Sequence, residues 1–280
     1  MMRAVLGLAC AIALMWGAGA SAQSVTFADI PGPAPGPAQS IGTYTNGCFT
    51  GGAALPIDGV GYQVIRTSRN RYWGHPALID FLEDFGQGMA REGLGVALVG
   101  DLNQPMGGPI SGHASHELGL DADIWLRLDL PRMSVGQRES LSAISVVDTS
   151  TYDWRVTDDF GLVQAEMIRL AASDPRVGRI FVHPAIKRAM CEINWPDRSF
   201  LRVIRPWFGH DSHFHIRLTC PAGSPECRIQ SAVPPGDGCG AELQSWFPDP
   251  NRPPAPSTPT TPRQPPPLPA GCQALLNQFR

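Results

Sequence analysis

Five of the seven histidines fall into two short clusters, Gly112-His113-Ala114-Ser115-His116-Glu117-Leu118-Gly119-Leu120-Asp121-Ala122-Asp123 and His210-Asp211-Ser212-His213-Phe214-His215. Imidazole nitrogen and carboxylate oxygen are the ligands Zn²⁺ takes where it keeps a position open for water, and a catalytic zinc usually has three protein ligands of this kind. The two clusters together supply that set, so the fold must bring two distant stretches of chain to one centre. Residues 120–125 alternate acidic and apolar side chains, which puts Asp121 and Asp123 on one face of a strand. His213–Leu218 alternates in the same way, so His213 and His215 share a face and can address one metal.

Around these strands the pattern mixes helices with further strands. Residues 61–66 have strand character, and Pro76–Glu92 carries Leu78, Ile79, Leu82, Phe85 and Met89 close to helical spacing before Gly93 and Gly95. Residues 96–99 form a short buried strand leading to Gly100-Asp101. Leu162–Ala172 reads as a helix, residues 179–182 as a strand, and residues 184–191 and Ser199–Val203 as short helices. The expected fold class is α+β: a single domain with a central antiparallel sheet carrying the site, flanked by helices. Residues 41–247 form this domain, residues 23–40 an extended segment without a core of its own, and residues 248–280 a proline-rich arm. Such a proline content cannot form a packed core.

Met1 to Arg3 gives a short positive start, an apolar run follows, and Ala20-Ser21-Ala22 is a small-residue cleavage pattern. Residues 1–22 therefore read as a secretory signal peptide, with lipidation at Cys10 a weaker alternative. No later stretch reaches the roughly 18 apolar residues a transmembrane helix needs. Without Cys10, six cysteines remain, Cys48, Cys191, Cys220, Cys227, Cys239 and Cys272, which allow 15 pairings. An oxidising compartment would pair them all, and the spacings lack the paired CxxC knuckles of a zinc-thiolate site. Cys220 and Cys227 bracket a turn-rich stretch that can close locally, and Cys272 suggests that the arm is tethered back to the body. A net charge of -3 gives no nucleic-acid signature.

His116-x2-Gly119-x3-Asp123 with the later His213-x-His215 resembles the signature of the zinc peptidases grouped with lysostaphin, the D-Ala-D-Ala peptidases and the hedgehog amino-terminal domain. Ser40-Ile41-Gly42, Asn46-Gly47-Cys48, Gly74-His75-Pro76, Gly112 to His116, His183 to Lys187, Val203 to Phe208, His213 to Leu218 and Gly236 to Phe247 extend the likeness to the penicillin-insensitive murein endopeptidases. The resemblance implies a periplasmic hydrolase that cuts the amide between D-alanine and meso-diaminopimelate in cross-linked peptidoglycan. It implies His116, Asp123 and His215 as Zn²⁺ ligands, with His113 beside them at the metal, and His213 and His210 as the catalytic pair. It also implies the disulfides Cys48 with Cys272, Cys191 with Cys239, and Cys220 with Cys227. Some members bind a second metal near His113, but the corresponding positions here fall near Thr151 and Trp154, poor replacements for an Asp and a His.

Two neutral imidazoles and one carboxylate leave a zinc site at net +1, a charge that polarises a water and a scissile carbonyl. With no serine or cysteine nucleophile, a β-lactam has nothing to acylate. Asp121 reads as a residue behind the ligands rather than a ligand. His75 and His183, each before a proline, read as turn or helix-start residues, and Glu117 as a loop or surface carboxylate. Trp207, Phe208 and Trp246 read as buried aromatics in preference to a ligand platform. The expected partner is cross-linked peptidoglycan, with no nucleic acid and no membrane span; a homodimer is left open. Two alternatives stand beside this reading: a D,D- or L,D-carboxypeptidase on stem peptides, and a non-catalytic metal-binding module.

Overall fold

The structure, a computed structural model, describes residues 25–249 and 266–279. The signal-peptide reading, Cys10 and most of the proline-rich stretch lie outside the described residues. Seven strands form the main sheet: β1 (Asp58–Gly59), β2 (Tyr62–Val64), β3 (Ala97–Val99), β4 (Asp121–Trp125), β5 (Val177–Val182), β6 (Ile204–Pro206) and β7 (His213–Leu218), in the spatial order β6-β5-β7-β4-β3-β2-β1. The sheet centre, β5-β7-β4-β3, is antiparallel throughout.

The flanks add parallel pairs to this expected antiparallel centre. β2 pairs β3, and β5 pairs β6, in parallel. A parallel pair needs a crossover, usually a helix. Two helices fill that role: α1 (Pro76–Glu92) between β2 and β3, and a nine-residue helix (Pro184–Glu192) between β5 and β6. The helix Leu162–Ala172 packs beside α1, and the α+β class stands.

Both crossover helices start the same way. The side chains of His75 and His183 accept hydrogen bonds from the backbone N–H of Ala77 and Ala185, and a proline takes the first helical position, where a missing N–H costs nothing. These two histidines are therefore helix caps, as their sequence context suggests. α1 buries Leu78, Ile79, Phe81, Leu82, Phe85 and Met89 against the sheet and ends at Gly93 in the left-handed conformation.

A second, smaller core lies at the chain ends. Phe27, Ile30 and Ala34 pack with Ile41, Cys48, Met106 and a terminal helix, Ala270–Asn277, through Cys272, Leu275 and Leu276. The packed body thus begins ahead of Ile41, and part of the expected arm is helical. The Pro/Gly-rich segment has too few apolar side chains to build its own core, but enough to cover one face of that helix. The disulfides are Cys48–Cys272, Cys191–Cys239 and Cys220–Cys227, the pairing implied by the family resemblance.

Candidate metal centre

The register of β4 and β7 assembles the site. His215 lies opposite Asp123, and Arg217 opposite Asp121. Because alternate side chains share a face, two carboxylates meet two histidines and an arginine across one pair of strands. The loop between β3 and β4 contributes His113 and His116. His116 is held at φ +70, a left-handed conformation that costs a non-glycine residue roughly 1–2 kcal/mol. Its N–H donates to Asp121 Oδ2 at 3.0 Å, an anchor that helps to offset the strain. Gly119, at φ +74, turns the chain back into β4; a Cβ there would lie 2.8 Å from the His75 nitrogen, so the turn requires glycine.

Four imidazoles converge on the Asp123 carboxylate. His116 Nε2 is 3.3 Å and His215 Nδ1 3.2 Å from Oδ1, while His113 Nδ1 is 3.5 Å and His213 Nε2 3.7 Å from Oδ2. His113, His116 and Asp123 offer ligand atoms within 4.8 Å of one another, the one such group of metal-ligating side chains among the described residues. His210 does not join them. It stands at the rim, its ring 5.0 Å from that of His213, and its Nδ1 is 3.0 Å from the Phe208 carbonyl.

Hydrogen bonds behind the rings determine which nitrogens face inward. His116 Nδ1 is 2.7 Å from the Leu102 carbonyl, which can only accept, so Nδ1 carries the proton and Nε2 presents its lone pair. His215 Nε2 donates to Asp121 Oδ1 at 2.9 Å, which leaves Nδ1 of the neutral ring as the lone pair. His116 Nε2 and Asp123 Oδ1 are buried without any hydrogen-bond partner. Buried polar atoms almost always have partners. Two orphans facing each other, beside a third inward lone pair, fit a cation bound between them, and the nitrogen–oxygen donor set suits zinc.

The surrounding charges suit that arrangement. Burial would raise the Asp123 carboxyl, but the imidazoles gathered round it, His116 and His213 foremost, hold it well below the usual range. Asp121 is likewise held down, against burial, by Arg217 and His215. Burial pushes His210 down to about 4, assisted by His213 and His215, and lowers His213 despite Asp123. Both rings are thus held neutral near pH 7.

Several side chains differ from their sequence reading. Glu117 is buried, accepts the Gly47 N–H at 3.0 Å and is pushed up by burial to about 7, so it ties a hairpin (Gln39–Thr43 with Asn46–Thr50) to the site loop and is no surface carboxylate. Trp207 and Phe208 are exposed, 53% and 51%, and line a cleft of about 610 Å³ beside His210, His213 and His215. Thr151 and Trp154 do not line this cleft; Trp154 packs on His183, Phe208 and Phe247. Two functional candidates escaped the sequence reading. Asp101, buried and held down to about 2 by His113 and Arg71 against the effect of burial, lies 3.2 Å from His113 Nε2. The available signal was an acidic residue just after a wholly apolar strand. Arg217, with Asp121, supports His215 from behind; its place two residues after His215 on an alternating strand was the signal.

A family model described as penicillin-insensitive murein endopeptidase matches residues 40–277. The chain is 46% identical over 269 residues to the penicillin-insensitive murein endopeptidase of Klebsiella pneumoniae (strain 342), covering 95% of this chain and 96% of that protein. It is equally 46% identical over 264 residues to the one from Salmonella heidelberg (strain SL476), covering 92% and 93%. The match spans both histidine clusters, all six cysteines of the three disulfides and the strands that present them, and the chain belongs to the penicillin-insensitive murein endopeptidase family.

Proposed function

We propose that this protein is a zinc-dependent, penicillin-insensitive murein endopeptidase that hydrolyses the D-alanyl–meso-diaminopimelyl cross-link of peptidoglycan in the periplasm. The observation that carries the reading is the pair of orphaned buried atoms, His116 Nε2 and Asp123 Oδ1, with His215 Nδ1 turned toward the same point. His116, Asp123 and His215 hold the ion, and His113 flanks the second Asp123 oxygen.

When bound, the zinc would supply Lewis-acid polarisation of the scissile carbonyl and of the attacking water. The protein's own groups do the rest. Asp121 and the Leu102 carbonyl orient the two ligand rings. His213, kept neutral by burial and placed 3.7 Å from Asp123, accepts a proton from the water at Nε2 and later returns it to the leaving amine nitrogen. His210, at the rim, assists from the substrate side. Penicillin finds no acylatable serine or cysteine in this chemistry. Among the described residues no helix is long and apolar enough to cross a membrane, compatible with an exported protein acting on the wall.

Purified protein incubated with cross-linked muropeptide dimer, with and without chelator and penicillin, tests the reading by mass spectrometry of the products. Monomer release that survives penicillin, stops with chelator and returns with Zn²⁺ is expected. Release of single D-alanine instead would make the protein a carboxypeptidase, and zinc binding without any product would make it a non-catalytic module.

A further inference from the structure

Two guanidinium groups face the cleft from neighbouring strands. Arg179 on β5 and Arg217 on β7 are register partners, and so are Phe181 and His215 two residues further along. Both arginines line the cleft that holds His213 and His215. The charge of Arg217 is balanced, because its Nε donates to Asp121 at 2.7 Å while its guanidinium sits over the rings of Tyr44 and Phe181. Arg179 has neutral partners alone: the side-chain oxygen of Gln230, and the carbonyl of Ser231 at 2.6 Å. Among the described residues no carboxylate pairs with it. This corner of the cleft therefore holds two cations and one anion. An arginine fork offers five N–H donors in a plane. Two of those on Arg179 are used, so donors remain for a carboxylate.

We propose that Arg179 is a carboxylate-binding subsite that recognises the free carboxyl group on the carbon bearing the scissile nitrogen. The inference rests on the endopeptidase reading above and names the part of that substrate this chain selects. In the cross-link, one amine of diaminopimelate is acylated by D-alanine, while the carboxyl on the same carbon stays free. That anion lies three bonds from the scissile carbonyl carbon and departs with the leaving amine. Arg179 is set back from the register position of His215 by two residues, roughly 6.6 Å along the strand. A long side chain reaching from there meets an anion next to the scissile bond. The Gln230 and Ser231 contacts brace the guanidinium, so little freedom is lost on binding. A wall whose carboxyl at this carbon is amidated presents no charge and leaves Arg179 unpaired.

The test uses zinc-loaded full-length mature protein and two ligands without a scissile bond. These are a monomeric muropeptide ending in diaminopimelate, and the same molecule amidated at the carboxyl beside the free amine. Calorimetry should show the free carboxylate binding about 10- to 100-fold more tightly, the worth of one or two charge-assisted hydrogen bonds. Arg179→Gln should bring the two affinities together and Arg179→Lys restore part of the difference. Gln230→Ala, which loosens the brace but keeps the charge, should retain the preference. Equal affinities in the wild type, or a preference that persists in Arg179→Gln, would overturn the subsite. Cleavage of the dimer in parallel samples reports on the activity separately. A carboxylate preference without cleavage would remove the endopeptidase assignment and leave the subsite standing, whereas cleavage without the preference would do the reverse.

Discussion

Replacing Asp121 with asparagine separates the residues that hold a metal from the residue that aims them. Asp121 is fully buried and accepts three hydrogen bonds, from His215 Nε2 at 2.9 Å, Arg217 Nε at 2.7 Å and the His116 N–H at 3.0 Å. Asparagine keeps the shape and one acceptor oxygen, but its amide nitrogen must face a donor, and the charge opposing Arg217 is lost. Arg217 is only 6% exposed, so a buried cation is left unpaired, and breaking a buried pair costs about 3–5 kcal/mol. The second effect is on the ligand ring. With no carboxylate behind it His215 loses its fixed tautomer, and loss of such a partner typically lowers metal affinity about 10–100-fold. Denaturant unfolding of the metal-free variant measures the first effect, and zinc titration against a competing chelator measures the second. A variant with wild-type stability and wild-type zinc affinity would refute the argument that Asp121 organises the site. Asp121→Asn with lost stability but unchanged zinc affinity would restrict its role to neutralising Arg217.

Further outcomes follow from the same geometry. His116→Ala or Asp123→Ala should abolish zinc binding and activity together, whereas His213→Ala should keep the zinc and lose about 10²–10⁴-fold in kcat, the usual worth of acid/base catalysis; a near-normal rate would remove His213 from the mechanism. Lys187 is fully buried, its Nζ donating to the carbonyls of Leu201 and Asp237, and burial lowers its pKa from 10.5 to about 7. The unfolded chain then binds the extra proton between pH 7 and 10.5, so stability should rise with pH through that window and carry its full penalty below it, with a slope of up to about 1.4 kcal/mol per pH unit. Unfolding at pH 7 and pH 9.5 should show that rise in the wild type and not in Lys187→Met; identical slopes would refute it. Cys272→Ser should release the terminal helix, with faster hydrogen exchange over residues 270–277 and a stability loss of about 3–5 kcal/mol for so long a closed loop, a separation of 224 residues; an unchanged melting temperature would count against the tether.

Local regularities made much of the framework legible. Alternation in His213–Leu218 and residues 120–125 placed Asp121, Asp123, His213 and His215 on strand faces before any pairing was known, because the period of a strand is a property of a few adjacent residues. Prolines after His75 and His183 marked helix starts for the same reason. The parallel flanks of the sheet were not legible. Whether a strand pairs parallel or antiparallel depends on where the intervening helix returns it, a long-range property that Tyr62–Val64 and Ile204–Pro206 do not encode locally. Likewise Phe27, Ile30 and Ala34 could not be read as core until the terminal helix they cover was in place.

By itself, then, the sequence determined which residue types were present, which of them shared a strand face and which segments were helical, since backbone stereochemistry repeats over two to four residues. Only the tertiary structure decided that His215 stands opposite Asp123, that Leu102 and Asp121 turn Nε2 of His116 and Nδ1 of His215 inward, that His210 stays at the rim, and that Arg179 has no carboxylate partner among the described residues. Each of those facts is a distance between atoms far apart along the chain. Such distances come from strand register and from burial, which the whole fold sets at once.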